Sequence, residues 1–501
     1  MAFAVNFPLF SIVLCLMSAV ISSLLPGRHA RRLSLLLCAI VALGSATLLV
    51  YGIRTGVETE YRMGHYPHPW GNELRFGIIE PLLALLFSLV MLLCLCGGKE
   101  QLLCDLEPQK SHLYYVMSDL VLSALLSLSY TNDIFTGYVF IEICTISSCG
   151  LLMIRQIGRT TLASIRYMIF SLIGSGLFLL GVILLYAVTG HLLMPNLKAA
   201  IAALYAGGEH HVVLIAGMTL IAIGLALKSG LFPFHFWMPD TYGYATPSSG
   251  GILSGLVSKG YIFFLLKVIF CVFGTDVFYR SGVSNVLYVF GACGIVVGSI
   301  SAMREKDVFR MIAYSSAAQI GYIYLGIGLS PKLGALAAVF HILTHAVTKP
   351  MLFLASAQIS DAACGAGNEA GHLRENWRGM GHINRMAGLA FSVGAFSMIG
   401  IPLSMGFVSK YRFALAAFER QNLIVPTLIV LAISTVLNTL YFARVVIQLY
   451  TPSDASPAAR VTVRKQRAYT VSALAFMLMN IGSGVAAEPL VLLLERGLGL
   501  L

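Results

Sequence analysis

The stretch FHILTHAVTKP, residues 340–350, lies within a long apolar run and yet carries three ionisable side chains. His341, His345 and Lys349 follow one another at intervals of four residues. At about 100° per residue, this spacing places all three on one face of an α-helix. Because each of these groups is costly to bury in lipid, such a stripe indicates a function.

The composition of the whole chain is that of a polytopic membrane protein. Of its 501 residues, 58% are hydrophobic and 11% are charged, whereas about 25% charged residues are typical of a soluble domain. This composition excludes an ordinary soluble enzyme. Apolar runs of a membrane-spanning length recur from end to end. We predict an all-α protein with fourteen transmembrane spans: 8–25, 32–51, 77–97, 113–130, 134–154, 163–190, 213–232, 247–272, 286–302, 308–329, 332–361, 387–418, 425–449 and 470–493.

Basic residues are distributed unevenly between the predicted loops. Eighteen lie in loops that follow odd-numbered spans, and seven lie in loops that follow even-numbered spans. By the positive-inside rule, the odd loops face the cytoplasm and both termini lie outside the inner (plasma) membrane of the cell. Most of the net charge of +11 thus sets the topology, and it does not indicate nucleic-acid binding.

Motifs of cofactor-dependent and ATP-dependent enzymes do not occur in the sequence. It contains no CxxC pair, Walker loop, Rossmann fingerprint or HExxH motif. The longest loops, near residues 52–76 and 362–386, are too short for a soluble catalytic domain. We therefore expect no cofactor and no catalytic site in this chain, which leaves open a role as a subunit of a redox-driven translocase.

Seven basic residues fall inside predicted spans. Three lie near span ends, from which long side chains can snorkel to the interface: Lys267, Arg412 and Arg444. Four lie deeper: Lys228, Lys259, Lys349 and Lys410. A charge at a helix centre costs about 2.5–3.5 kcal/mol, so a functional role is the default interpretation of the deeper four.

One carboxylate lies in the middle of the fifth span. Glu142 must be neutral, paired with a cation or beside water, and Lys228 is a suitable partner. Asp133 lies at the outer end of the same span and is interpreted as a helix-end residue. Asp119 lies one to two turns into the fourth span.

Proline is predicted to break two spans and to kink a third. In the seventh span, Lys228 is followed by Pro233 and Pro239, and in the twelfth span Pro402 precedes Lys410. Pro350 follows Lys349 directly and predicts a kink beside His345.

The two interrupted spans lie five spans apart, and each carries a lysine. This layout indicates two related halves, spans 4–8 (residues 113–272) and spans 9–13 (residues 286–449), within a single transmembrane domain that covers residues 1–501.

Several functions are compatible with the stripe of His341, His345 and Lys349. A metal site has suitable histidine spacing but lacks a nearby acidic or cysteine ligand. Haem ligation normally needs histidines that face each other from separate helices. A polar stripe could also serve packing alone. A proton relay fits these residue types best, since imidazole and a buried amine both exchange protons near neutral pH.

The relay predicted from the residues starts at Lys228, which is held charged by Glu142 and released when the two separate. The proton then passes through Lys259 and water to the stripe on the eleventh span, and from there to Lys410. Electrostatic coupling between neighbouring groups is sufficient for this transfer, and no covalent step is needed.

Five segments together resemble a known family, the antiporter-like subunits of respiratory complex I, Mrp-type cation/proton antiporters and membrane-bound hydrogenases. The segments are TNDIFTGYVFIE, ALKSGLFPFHFWMPDTYGYATPSSGGILSGLVSKGY, REKDVFRMIAYSSAAQIGYI, FHILTHAVTKPMLFLASAQI and GIPLSMGFVSKY. The resemblance implies fourteen core helices, two inverted five-helix repeats and broken seventh and twelfth helices. It also implies proton-relay roles at the matching positions: Glu142, Lys228, Lys259, His341, His345, Lys349 and Lys410.

Within that family, the length and layout are closest to the D subunit of an Mrp-type Na⁺/H⁺ antiporter. The resemblance thus implies that H⁺, with or without exchange for Na⁺, moves through a hetero-oligomer with other membrane subunits. The equivalent subunit of complex I or of a membrane-bound hydrogenase or dehydrogenase is an alternative. The two remaining alternatives are a stand-alone secondary transporter and a structural scaffold.

Overall fold

The computed structural model describes residues 2–66, 71–365, 370–452 and 467–499. In the first half of the chain, a short antiparallel hairpin interrupts a series of helices. Its strands are β1 (Thr59–Arg62) and β2 (Glu73–Phe76). The helices are α1 (Ala2–Leu24), α2 (Gly27–Thr55), α3 (Ile79–Gly97), α4 (Lys99–Asp105), α5 (Ser111–Tyr130), α6 (Ile134–Met153), α7 (Gly158–Thr189), α8 (Met194–Gly207), α9 (His211–Ser229), α10 (Met238–Tyr244), α11 (Pro247–Ile252) and α12 (Ser258–Val268).

The described part of the second half consists of helices joined by short connections. The helices are α13 (Thr275–Arg280), α14 (Val283–Arg304), α15 (Val308–Leu329), α16 (Leu333–Gly365), α17 (Met380–Ile383), α18 (Arg385–Ile399), α19 (Met405–Ala417), α20 (Ile424–Tyr450), α21 (Arg467–Val485) and α22 (Ala487–Leu498). The described residues also include five 3₁₀ turns, the first of them between β1 and β2: Met63–His65, Pro108–Lys110, Phe234–Trp237, Arg374–Trp377 and Gln421–Leu423. Two π-helical segments, Leu253–Val257 and Ile269–Phe273, flank α12.

The predicted all-α polytopic membrane fold is confirmed. Among the described residues, twelve helical stretches are long and apolar enough to cross a membrane. The other two predicted spans coincide with the 22-residue α15 and with the pair α18 and α19. The last span is shorter than predicted, because α21 ends at Val485 and a separate helix, α22, follows it.

The seventh and twelfth spans are each interrupted at a glycine in the left-handed region. Gly230 (φ +80°) ends α9, and Gly400 (φ +90°) ends α18. Glycine reaches this conformation without a Cβ clash, which makes it the usual residue just beyond a helix end. Pro233 and Pro402 lie inside the two gaps, and Ser404 then caps α19 by accepting a hydrogen bond from the Phe407 N–H.

Two of the four prolines predicted to break or kink helices do not interrupt one. Pro239 lies in the first turn of α10, where a helix needs no N–H donor. Pro350 lies inside α16, which continues without a break from Leu333 to Gly365. Gly255 lies against the Pro350 ring and the Ala346 carbonyl, since a Cβ there would approach the ring to 2.6 Å. Gly255 thus packs closely against the proline within the continuous α16.

Helix α16 lies at the centre of the molecule, and α20 lies at its edge. Every residue in the apolar window of α16 is buried, compared with 22% in that of α20. Helices α3, α11, α15, α18, α19 and α21 surround α16. The stripe that contains His341, His345 and Lys349 therefore faces protein on all sides, which removes the cost of exposing it to lipid.

Candidate functional site

Lys228 lies in the last turn of α9, directly before the break at Gly230. Its ammonium group donates a 2.7 Å hydrogen bond to the Thr145 hydroxyl of α6. One turn away on α6, the Glu142 carboxylate lies 3.6 Å from the same nitrogen. The structure therefore brings Glu142 and Lys228 together, and Thr145 contacts the same ammonium group.

Tyr261 of α12 extends this cluster towards the centre of the protein. Its ring lies under the Lys228 ammonium group, with 5.6 Å from the nitrogen to the ring centroid. Its hydroxyl lies 3.4 Å from the Thr145 hydroxyl. Neither Thr145 nor Tyr261 stands out in the sequence, because hydroxyl residues are common in membrane helices and only the fold places these two beside a lysine.

Lys259 lies two residues before Tyr261 and is fully buried. Its ammonium group donates to the Ser254 carbonyl at 2.7 Å and to the Ser258 hydroxyl at 3.0 Å. Ser254 belongs to the π-helical segment Leu253–Val257, in which the backbone hydrogen bonds are shifted by one residue. This local distortion makes a carbonyl oxygen available to the lysine.

The three residues of the stripe differ in their partners. The Nδ1 atom of His341 lies 2.7 Å from the Ser409 hydroxyl of α19. The Lys349 ammonium group donates to the Ile312 carbonyl at 2.9 Å and, in a shorter contact, to the Ser315 hydroxyl. Among the described residues, neither ring nitrogen of His345 has a hydrogen-bond partner. His345 lies between the other two along α16, with its ring centroid 6.2 Å from that of His341.

Lys410 on α19 reaches back across the break in the twelfth span. Its ammonium group donates to the carbonyl of Ile399, the last residue of α18, at 2.8 Å. It also donates to the Thr435 hydroxyl of α20 at 3.2 Å. The broken helix thus provides a carbonyl acceptor that an intact helix would use internally.

The predicted relay residues form two groups. His341, His345 and Lys349 lie on α16, and the helices that carry Lys259 and Lys410, α12 and α19, pack against it. Lys228 instead contacts Glu142 and Thr145 on α6. Tyr261 links the two groups, because its hydroxyl lies 3.4 Å from that of Thr145 and it shares helix α12 with Lys259.

A second ion cluster lies near the ends of α3 and α12. Lys267, which was predicted to snorkel, is fully buried, and its ammonium group lies 3.9 Å from the Glu80 carboxylate. It also donates to the Ser129 carbonyl at 2.7 Å. The prediction was wrong because α3 and α5 cover this end of α12 and supply the partners. Arg412, by contrast, pairs with the exposed Glu488 at 2.8 Å.

A cavity of about 730 Å³ opens among the loops that follow odd-numbered spans. Its lining includes Asp105, Asp307 and Asp361 together with Arg155. Burial raises the pKa of Asp105, and Arg155, whose guanidinium lies 3.3 Å away, opposes that shift. The cavity is therefore rich in groups that hold protons or cations.

A family model described as "NADH:quinone oxidoreductase/Mrp antiporter, TM" matches residues 131–437. All seven predicted relay positions lie within this match. The N subunit of the NADH-quinone oxidoreductase of Desulforudis audaxviator is 33% identical over 428 residues, which cover 84% of this chain and 81% of the relative. The D subunit of the Na⁺/H⁺ antiporter of Alkalihalophilus pseudofirmus is 24% identical over 376 residues, which cover 73% of this chain and 71% of the relative.

The fold is also similar to that of a solved structure. A chain of the membrane-bound sulfane sulfur reductase, an archaeal respiratory membrane complex, superimposes with a TM-score of 0.84 at 26% identity. The superposition covers 99% of this chain and 96% of the other.

The buried pair of Lys267 and Glu80 predicts a large effect on stability. In the Glu80→Gln variant the lysine loses its counter-charge, and we expect a destabilisation of about 3–5 kcal/mol. The double variant Glu80→Gln/Lys267→Met should recover most of this loss. The measurement is the thermal unfolding midpoint of the purified protein in its complex.

The matched control is Glu488→Gln, which breaks the exposed pair with Arg412. A surface pair contributes about 1 kcal/mol or less, so this variant should unfold close to the unmodified protein. The interpretation of the buried pair fails if Glu80→Gln is no less stable than Glu488→Gln.

Proposed function

Because the chain belongs to the NADH:quinone oxidoreductase/Mrp antiporter family, we propose that it moves protons as an antiporter-like subunit of a multisubunit membrane complex. The observation that carries this proposal is the contact of Lys228 with Glu142 and Thr145 beside a helix break. A buried ammonium group changes its affinity for a proton when its counter-charge moves. A movement of α6 relative to α9 is therefore enough to load or unload Lys228.

The first step of the proposed transfer is the separation of Lys228 from Glu142. While the carboxylate is near, it stabilises the charged ammonium form. Once the two separate, desolvation disfavours that charge and the lysine releases its proton. The hydroxyls of Thr145 and Tyr261 lie along the route towards Lys259 and can pass the proton by donating and accepting in turn.

The second step uses repulsion within the group around α16. A proton that arrives on Lys259 raises the energy of one already on Lys349, because the two charges interact at low dielectric. His345 lies within electrostatic reach of both lysines, and its two ring nitrogens are not bonded to described protein groups. It can therefore accept a proton on one nitrogen and release one from the other. Lys410 is the last carrier.

The two halves of this route correspond to two inverted repeats, residues 113–272 and 286–449. The breaks after Ser229 and after Ile399, each beside a relay lysine, support this division. With two such repeats, Lys228 can respond to the break after Ser229 and Lys410 to the break after Ile399, while α16 connects the two repeats.

In this proposal, the complex lies in the plasma membrane with both termini of the chain on the outer side. The support is the excess of basic residues in the odd-numbered loops. The cavity lined by Asp105, Asp307 and Asp361 then faces the cytoplasm, where its carboxylates can collect protons.

Partner subunits are expected to cover the surface of α6 around Glu142. The Glu142 side chain is 22% exposed, and it lies between Val139 and Ile146, which are 40% and 64% exposed. A charged group on a lipid-facing surface is costly, so another subunit packed against it would be favourable. The relatives are themselves named as subunits, which supports a hetero-oligomer.

The contacts of Lys228 with Glu142 and Thr145 predict the effect of three substitutions on proton transfer by the reconstituted complex. Glu142→Ala and Lys228→Ala should abolish proton-coupled activity, while the complex still assembles. Thr145→Val removes one hydrogen bond to a charged group, which is worth about 1.5–3 kcal/mol, so we expect a roughly 10- to 100-fold slower transfer. The measurement is the quench of a pH-sensitive dye in proteoliposomes.

Two control variants separate a role in the relay from a role in folding. Thr145→Ser keeps the hydroxyl and should restore most of the rate. Ser147→Ala, on the same helix, removes a hydroxyl that bonds only the Ile143 carbonyl and should leave the rate unchanged. Normal pumping by both Glu142→Ala and Lys228→Ala would refute the proposed proton relay. An equal loss of assembly and activity in these two variants would favour a structural scaffold.

Two kinds of membrane complex are candidates for the parent complex, the assembly that contains this chain. The sequence predicts an Mrp-type complex that moves H⁺, with or without exchange for Na⁺. A redox-driven complex of the NADH:quinone oxidoreductase or hydrogenase type is favoured by one observation: the identity is 33% with the N subunit of an oxidoreductase and 24% with the D subunit of an antiporter.

Affinity purification of the intact complex distinguishes the two parents. We expect partner subunits that carry flavin or iron–sulfur clusters, visible in the absorption spectrum, and proton uptake by vesicles on addition of an electron donor. A complex made of membrane subunits alone, which dissipates a pH gradient on addition of Na⁺, would contradict the redox-driven parent and support the Mrp-type one.

A further inference from the structure

Helix α10 is the part of the seventh span that follows the break, and its Asp240 carboxylate contacts two other helices. The Arg166 guanidinium of α7 donates a 2.9 Å hydrogen bond to one carboxylate oxygen. The Arg310 guanidinium of α15 lies 3.6 Å from the other oxygen. Because α7 belongs to the first of the proposed repeats and α15 to the second, Asp240 connects the two repeats.

The last turn of α10 adds to the contact with α15. Arg310 donates a 3.3 Å hydrogen bond to the Tyr244 hydroxyl, and its guanidinium carbon lies 5.8 Å from the centre of the Tyr244 ring. A Cβ at Gly243 would approach the Cγ atom of Arg310 to 2.6 Å, so the backbone of α10 packs directly on this arginine. A guanidinium with both a carboxylate and an aromatic partner is held in a defined position. Arg310 therefore ties the start of α15 to α10.

The first turn of α10 contacts the end of α9. Gly230 follows Lys228 by two residues and ends α9. It lies against Met238, the first residue of α10, because a Cβ at Gly230 would overlap the Met238 sulfur atom. Close-packed interiors have few voids that could absorb a displacement. A movement of α9 that separates Lys228 from Glu142 therefore also displaces α10.

The start of α15 supplies the hydrogen-bond acceptors of Lys349. The Lys349 ammonium group donates to the Ile312 carbonyl at 2.9 Å and, in a shorter contact, to the Ser315 hydroxyl. These two acceptors follow Arg310 on α15 by two and five residues. The strength of a hydrogen bond to a charged group depends on its length and angle. A displacement at Arg310 therefore changes how strongly the charged form of Lys349 is held.

We propose that Asp240 and Arg310 form a positioning pair that couples the two groups of relay residues. When α9 moves at its break, the pair transmits the displacement from α10 to α15, and so to the acceptors of Lys349. Neither residue of the pair carries the transferred proton. This coupling rests on the proposed function, since it describes how proton release at Lys228 and proton movement around α16 are kept in step. Packed elements with two arrangements are a known basis for such coupling.

Arg166 provides a comparison within the same cluster. It forms the shorter of the two ion pairs with Asp240, but its side chain is 51% exposed, compared with 28% for Arg310. It also ties α10 to α7, which belongs to the same proposed repeat. The proposal therefore assigns the coupling to the longer pair, whereas a simple ranking by ion-pair distance would assign it to the shorter one.

The first test measures proton flux by the reconstituted complex. Arg310→Gln removes the charge that faces Asp240, and we expect the flux to be about fivefold slower or more. Arg166→Gln is the matched control and should leave the flux unchanged. Asp240→Asn breaks both pairs and should match Arg310→Gln. Arg310→Lys keeps the charge and should retain most of the rate.

The second test combines Arg310→Gln with Thr145→Val. The effects of two distant and independent substitutions multiply. Coupling predicts a different result, because the displacement that the pair transmits begins at the Lys228 contact that Thr145→Val has already weakened. We therefore expect Arg310→Gln to slow the Thr145→Val complex by less than about twofold. A merely structural role of Arg310 would not produce this change.

Three results would overturn the proposal: equal flux in Arg310→Gln and Arg166→Gln, full multiplication of the effects of Arg310→Gln and Thr145→Val, or a parallel loss of assembly and flux in Arg310→Gln and Asp240→Asn. Failure of the proposed function itself has a separate signature, which is normal flux in Lys228→Ala. Flux that requires Lys228 but is indifferent to Arg310 would refute the coupling alone.

Discussion

A charge inside the hydrocarbon core must be neutralised or given polar partners, and the rest of this structure depends on that constraint. Each deep lysine meets it with an acceptor that an uninterrupted, isolated helix would not supply. Lys410 bonds the carbonyl left free at the end of α18, and Lys259 bonds a carbonyl in a π-helical segment. Lys228 uses a hydroxyl and a carboxylate from the neighbouring helix α6.

The same constraint explains why α16 occupies the centre of the molecule. A helix that carries two histidines and a lysine is stable only where other helices cover every face, and α16 is buried along its apolar length. Close helix packing makes this arrangement achievable. Gly291 on α14 lies against the Gly321 carbonyl of α15, where a Cβ would approach to 2.7 Å. Small residues at such contacts are the usual means of packing membrane helices.

The sequence allowed the helices, both breaks and the pairing of Glu142 with Lys228 to be predicted, because apolar length, glycine and proline act locally. It did not allow the uncharged partners to be predicted, since Thr145 and Ser409 resemble many other hydroxyl residues until the fold places them. Pro350 lies within the continuous α16 and packs against Gly255, a contact that only the fold shows. The sequence misled the prediction for Lys267, because its partner Glu80 lies almost 190 residues away in the chain.

The proposed function requires that protons move through the buried ionisable groups as far as Lys410. The most direct measurement compares Lys410→Met with Arg412→Met in the intact complex, reconstituted in proteoliposomes, by following proton flux and thermal stability together. Arg412 lies on the same helix but pairs with the exposed Glu488. We expect that only Lys410→Met stops the flux, and that both variants assemble normally. Equal flux in the two variants, or a parallel loss of flux and assembly in Lys410→Met, would contradict it.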